Sequence, residues 1–456
     1  MSFTVDRQKV AVRACSWRSR WPPILRPHTF PEVTQPSGGG LEVVVRRLPL
    51  YAVGAFVVVT ALTSALAWST YQTVGPVPGR AFLDGPHWLD AWFQGDSGWY
   101  VRIADEGYSY APGQQSPIAF FPVYPLSVHV LGGLLGGDFS TAAGLVTLVC
   151  AAGVVMLFAD WVRSRVKPRT AVVAVAVLLV YPYSFFLYGS GYSDASYLLS
   201  ALAAFALLER RHYLLAGIVG AFATAGRPVG IAVAVGLVVR AAELIAEDRA
   251  ARRQSEVLVG GAQASAERPP ARVRPVPFRE LVRSVASMRW REAVLLVSGA
   301  GLLAWMTYLG VRFGDPLAFA TVQGSPGWNQ GAGPFTWFKG PFVGTLVKGI
   351  WHDAVLLVPQ ALACLAAVLL LRTVWRRFGW GYTAYAVVSL AIPIIGTKDF
   401  MGSGRYVLAA YPVLAAAAVV LTDARRPRWL APLVLAVLAV GLAVATVAFV
   451  NGVEVS

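Results

Sequence analysis

Eleven apolar runs separated by short polar islands dominate the sequence, and each has to be withdrawn from water. They fall at about 48–69, 118–137, 141–162, 171–187, 193–208, 213–239, 292–312, 352–371, 380–396, 404–422 and 429–450. A helix rising about 1.5 Å per residue lets runs of this length cross a bilayer. Only 14% of the 456 residues are charged and 56% are hydrophobic, with a mean hydropathy of +0.57. Water-soluble domains carry roughly 25% charged residues, so a soluble protein is excluded. The expected fold class is all-α: a polytopic transmembrane helical bundle of about 9–11 membrane segments, some broken or re-entrant.

The net charge of +15 is a topology signal and not a nucleic-acid footprint, because the basic residues cluster beside the apolar runs, as they do in cytoplasmic loops. Residues 1–47 read as a basic, disordered cytoplasmic tail, with Arg7, Arg13, Arg18, Arg20 and Arg26 among Pro, Ser and Gly. Residues 48–456 form the transmembrane domain. The first run follows Arg46-Arg47 and reads as an uncleaved helix whose N-terminus stays inside.

If all eleven runs crossed once, the basic loops Arg163-to-Arg169 and Arg210-Arg211 would face outward, against the charge rule. Two devices remove the conflict. The Pro-interrupted segment from Phe120-Phe121-Pro122-Val123-Tyr124-Pro125 onward enters from outside without crossing, and 213–239 is a hairpin broken at Gly226-Arg227-Pro228. Proline removes a backbone donor, and non-helical backbone at membrane depth is tolerated only beside protein or a watery cavity. The breaks therefore point to a site. On this layout 240–291, with eleven arginines against six acids, is a cytoplasmic linker, while 70–117 is an outer loop.

That outer loop reverses the charge balance, with Asp84, Asp90, Asp96, Asp105 and Glu106 against Arg80 and Arg102. Asp96 sits between Gly95 and Gly98 and beside Trp99 and Tyr100. A partly desolvated carboxylate there could work as a general base; the plain structural alternative is a turn aspartate followed by an interfacial aromatic anchor. Arg227 interrupts an apolar stretch, so it marks function unless it only pairs with Asp194. Arg405, opening the run at 404–422, carries a planar fork suited to phosphate oxygens, although a snorkelling interfacial arginine reads the same way. Cys15, Cys150 and Cys364 are far apart and the five histidines lack paired-ligand spacing, so neither a disulfide framework nor a zinc site is expected. There is no P-loop, no dinucleotide fingerprint and no serine elbow.

Between about Asp90 and Pro412, several motifs occur in an order that resembles the PIG-V family of integral-membrane mannosyltransferases, a branch of the GT-C glycosyltransferases. They are Asp96-Ser97-Gly98-Trp99-Tyr100-Val101-Arg102-Ile103-Ala104 with Gly107-Tyr108, Phe120-Phe121-Pro122-Val123-Tyr124-Pro125-Leu126, Tyr181-Pro182-Tyr183-Ser184-Phe185-Phe186, Gly226-Arg227-Pro228, Gly314-Asp315-Pro316-Leu317-Ala318-Phe319, and Arg405-Tyr406-Val407-Leu408 with Tyr411-Pro412. The chain departs from the family at Gly95, where Trp is usual, and at Asp194, where Glu is common. Its Arg-, Ala- and Gly-rich composition suits a GC-rich bacterial source.

The resemblance implies a GT-C-type bundle, with the active site on its outer first loop. It implies transfer of a sugar, with mannose expected, from a polyprenyl-phosphate donor to a lipid or glycan acceptor at the extracytoplasmic face of the cell membrane. Asp96 would be the general base of an inverting reaction. Arg405 and Arg227 would bind the donor phosphate, with Arg102 and Lys398 in reserve. Trp99, Tyr100, Phe121, Tyr124, Tyr192, Asp194, Trp328 and Tyr406 would line the substrate site. No cofactor is required, although a divalent cation near the phosphate is compatible with this chemistry. A transporter or lipid flippase is the competing reading, since it too uses broken helices and intramembrane charge.

Overall fold

The computed structural model describes residues 46–74, 89–260, 275–328, 330 and 333–455. The expected tail up to residue 45, Arg80 and Asp84 of the outer loop, and the Pro-rich centre of the linker lie outside the described residues. The described chain is helical, without strands. Its longer helices are α1 (Leu48–Val74), α2 (Ser97–Glu106), α3 (Val123–Leu134), α4 (Phe139–Arg163), α5 (Pro168–Val180), α6 (Asp194–Glu209), α7 (Tyr213–Thr224), α8 (Ile231–Gly260) and α9 (Phe278–Val285). They continue with α10 (Trp290–Phe313, with a 3-10 stretch inside), α11 (Trp351–Phe378), α12 (Trp380–Gly396), α13 (Ser403–Ala409), α14 (Tyr411–Leu421) and α15 (Leu430–Val450).

Each apolar run reappears as a helix or a helix pair. Among the described residues six helices are long and apolar enough to span a bilayer, and α13 with α14 makes a seventh candidate bent by 81°. The bend falls at Ala410, with Pro412 in the first turn of the second helix, since a proline cannot supply the N–H that would carry the first helix on. α3, α5, α7 and α12 are apolar but shorter.

One helix sets the geometry of the bundle. α6 begins with Asp194 and ends with Glu209, so at 1.5 Å per residue those carboxylates lie about 22 Å apart. Around Glu209 gather Arg165 at 3.0 Å, Arg240 at 2.8 Å and the Tyr382 hydroxyl at 2.9 Å. Arg240 also pairs with Glu243 at 2.9 Å and Glu247 at 2.8 Å. Glu243 in turn accepts the Trp380 and Gly381 N–H groups at 2.8 and 3.2 Å, capping α12. The ends of α4, α6 and α14, the start of α12 and the middle of α8 therefore share one end of the bundle, Thr170 bonding Thr422 at 2.7 Å there as well.

The opposite end holds the starts of α2, α6, α8 and α13. α3 is too short to cross, and both its ends stay there: the Val123 N–H donates to the Ala225 carbonyl at 3.2 Å, and Asp138 and Phe139 line a cleft with Gly95 and Trp99. α7 runs from Arg211, paired with Asp248 at 2.8 Å, to the break at 225–228, and α8 runs back. Both basic loops consequently sit at the Glu209 end. One boundary differs from expectation: α8 continues past Arg240 to Gly260 with Ala241, Ala242 and Leu244 buried, so the first part of the stretch read as a linker is packed helix. Its arginine and glutamates neutralise one another, which lets charge enter a packed interface.

Candidate functional site

Asp96 is the residue on which α2 starts, and its side chain is not spent on capping that helix. Its backbone N–H donates instead to the Tyr192 hydroxyl at 2.8 Å, and Tyr192 donates to the Gln94 carbonyl at 3.2 Å. Gly95 makes this possible. At φ +57° it occupies the left-handed region, and a Cβ there would come within 2.6 Å of the Tyr192 oxygen. The backbone turn and the tyrosine together leave room only for glycine at this position.

The structure brings four of the expected charges into one cluster. Arg227 forms a buried ion pair with Asp194. Arg405 approaches Asp96 with Nη1–Oδ2 at 3.7 Å and Asp194 with Nε–Oδ1 at 3.9 Å. The two pairings differ in access: the Asp96 side chain is 28% exposed, whereas Arg405, Arg227 and Asp194 are at 13%, 6% and 2%. Asp194 Oδ2 and Arg405 Nε are buried and make no hydrogen bond. Aromatic faces hold the guanidiniums, Arg227 lying 4.9 Å from the Tyr406 ring and Arg405 lying 5.2 Å from Phe186 and 5.3 Å from Tyr192.

Desolvation pushes the Asp96 carboxyl above its ordinary value; Arg405 and Arg227 pull it down, Asp194 and Glu454 push it up, and the net direction is upward. A raised carboxyl is a better proton acceptor once ionised. Gly95 and Gly98, on either side of Asp96 in the chain, line a cleft of about 570 Å³ with Trp99, Arg102, Glu106 and Asp138; Asp96 itself, Arg405 and Arg227 are not among its lining residues. That volume falls within the range of small-molecule sites.

The other expected residues lie in several different settings. Tyr100 is wedged behind Asp96, its hydroxyl 2.8 Å from Ser193 and its ring 5.0 Å from Tyr124. Tyr124 is itself fully buried, bonded to Ala143 at 2.9 Å, and braces Tyr100. Trp99 meets Trp328 at 6.1 Å, an aromatic wall shared with Phe120. Phe121, in contrast, packs in a separate apolar cluster with Trp305 and Phe319. Arg102 is exposed and pairs with Glu106 at 2.7 Å, facing the cleft and not the buried arginines. Lys398 lies in the turn before α13, half-buried and outside the ion-paired cluster.

Lys339 was not singled out by sequence. It is buried at φ +55°, donates its ammonium to Thr397, and lies 4.9 Å from the ring of Phe400, which is also left-handed at φ +70°. Two strained residues thus clasp the turn that leads to Arg405. Only the Gly-Pro-rich character of 324–341 hinted at special backbone there. Among the described residues no group of three or more His, Cys, Asp or Glu side chains could hold a metal ion.

No protein-family model matches the chain, and no curated protein does. Solved structures of an oligosaccharyltransferase from the archaeon Archaeoglobus fulgidus are similar in layout. The apo form is 12% identical with a TM-score of 0.40, covering 88% of this chain and 56% of that one. The form tethered to an acceptor peptide with the NVT sequon is 12% identical at 0.39, covering 88% and 55%. The form named AglB, bound to an inhibitory peptide and a dolichol-phosphate, is 11% identical at 0.40, covering 88% and 56%. The chain spans little more than half the length of these proteins, and a similarity of this size carries no argument about its chemistry.

Proposed function

We propose that the chain is a glycosyltransferase of the GT-C type that moves a sugar, with mannose expected, from a polyprenyl-phosphate donor to a hydroxyl of a lipid or glycan acceptor. The observation that carries this reading is the place of Asp96: a carboxylate 28% exposed, 3.7 Å from the largely buried Arg405, in a turn whose glycines Gly95 and Gly98 line a cleft. The acceptor hydroxyl enters through the cleft by Gly95 and Gly98, where Trp99 offers a face to a sugar ring. The donor phosphate meets Arg405 and Arg227, whose charge stabilises the leaving group in a low-dielectric setting.

The step is an inverting displacement. Asp96 takes the acceptor proton as the acceptor oxygen bonds the anomeric carbon, and the bond from that carbon to the phosphate oxygen breaks with its electron pair going to the prenyl phosphate. Prenyl-linked donors need no nucleotide site, in keeping with the motifs present. The face follows from charge: Arg163, Arg165, Arg210 and Arg211 lie at the Glu209 end of the bundle, which the positive-inside rule makes cytoplasmic, so Asp96 faces outward. The test is transfer from labelled polyprenyl-phosphate mannose in membranes carrying the chain. Transfer to endogenous acceptor supports the reading. Movement of a lipid across the bilayer without any transfer favours the flippase instead.

A further inference from the structure

Arg405 stands between two carboxylates and is fully bonded to neither: it is 3.7 Å from Asp96 and 3.9 Å from Asp194, and its Nε has no hydrogen bond. Asp194 already holds Arg227, yet its Oδ2 is buried and unpartnered as well. Two cations and two anions thus form a neutral cluster with spare donor capacity at Arg405. A guanidinium strongly prefers a bidentate oxyanion, and a phosphodiester offers one. Arg405 cannot give its fork to a phosphate and keep its hold on Asp96 undiminished, since in an inverting displacement the base and the leaving phosphate lie on opposite faces of the anomeric carbon.

We infer that Arg405 is an exchange partner: in the empty protein it restrains Asp96, and an incoming prenyl phosphodiester competes with Asp96 for it, so that donor binding itself frees the base. This rests on the reading of the site as a prenyl-phosphate glycosyltransferase. The charge accounting closes. During transfer one proton passes from the acceptor hydroxyl to Asp96 and one negative charge appears on the leaving phosphate, so charge moves from one side of Arg405 to the other without any change in the total. Asp194 keeps Arg227 in place throughout and acts as a positioning residue.

The consequence is a paradoxical variant. Asp96→Asn removes the competitor, so it should bind the donor phosphate more tightly while it loses transfer. The probe is a short prenyl methyl phosphodiester, monoanionic at every pH of the titration, bound to the full chain in lipid nanodiscs. Relative to wild type, D96N should tighten binding roughly 5- to 150-fold, the span of ordinary site-to-site couplings.

Wild-type affinity should also rise as pH falls through the Asp96 titration, because the protonated carboxyl releases Arg405, and D96N should be flat. The groups facing Asp96 are Arg405, Arg227, Asp194, Glu454 and the Tyr192 hydroxyl; all of them are present in both proteins, so the difference between the two curves belongs to Asp96. In an Arg405→Gln background the D96N effect should vanish. If wild type binds the probe and D96N binds it equally or more weakly, the exchange is overturned while the enzyme reading stands. If wild type does not bind the probe at all, the enzyme reading falls first.

Discussion

Gly95 and Tyr192 share one space: a methyl group on the glycine would lie 2.6 Å from the tyrosine oxygen that receives the Asp96 N–H. Gly98, three residues on, faces nothing within 4 Å. Gly95→Ala should therefore displace Asp96 and lower transfer far more than Gly98→Ala. Strain at φ +57° adds to the clash, with such strain costing about 1–3 kcal/mol. Comparable activity in the two variants would show that the Tyr192 contact does not place the base.

The acid side of the pH–rate profile reports the setting of Asp96. A base works ionised, so the rate falls as pH drops through its pKa. Burial raises that pKa, which puts the midpoint above about 3.9, the ordinary value for aspartate. Measured kcat/KM against pH should show one acid limb displaced upward. A limb at or below the ordinary value would mean that Arg405 outweighs desolvation.

Ion pairs at the two ends of the molecule should differ sharply in their effect on stability. Arg240 is 10% exposed and answers three carboxylates, and removing one side of a buried network costs about 3–5 kcal/mol. The exposed Arg102–Glu106 pair is worth about 0–1 kcal/mol. Thermal unfolding in detergent should show Arg240→Ala melting well below wild type and Arg102→Ala close to it. The reverse order would remove the Glu209 cluster from its structural role.

Orientation is open to labelling. Ser164 and Gln114 are both exposed and lie at opposite ends of the bundle, whereas Ser193 is buried and unsuited to the test. With Cys15, Cys150 and Cys364 replaced, an impermeant thiol reagent outside the cell should label Gln114→Cys and spare Ser164→Cys. Labelling of Ser164→Cys alone would invert the topology.

Much of this organisation is legible in the chain. Apolar length marks the helices, and the prolines at 122, 125 and 228 mark the two breaks, because a missing N–H is a local property that sequence displays directly. The placing of Asp194 opposite Arg227 follows from the cost of an unpaired intramembrane charge. What sequence does not display is which partner a side chain chooses across the bundle. Nothing local says that Tyr124 is sealed behind Tyr100 or that Lys339 clasps Thr397. The extent of α8 is hidden for the same reason: Arg240 and Glu243 read as a solvated loop until the carboxylate of Glu209, 31 residues away from Arg240, is set beside them.

The central claim is that Asp96 accepts the acceptor proton, and labelled transfer from polyprenyl-phosphate mannose tests it most directly. Wild-type membranes should transfer the sugar, and Asp96→Asn membranes with equal amounts of folded protein should fall by about 10²- to 10⁴-fold, the contribution of a general base. Substantial transfer by the asparagine variant would contradict the account.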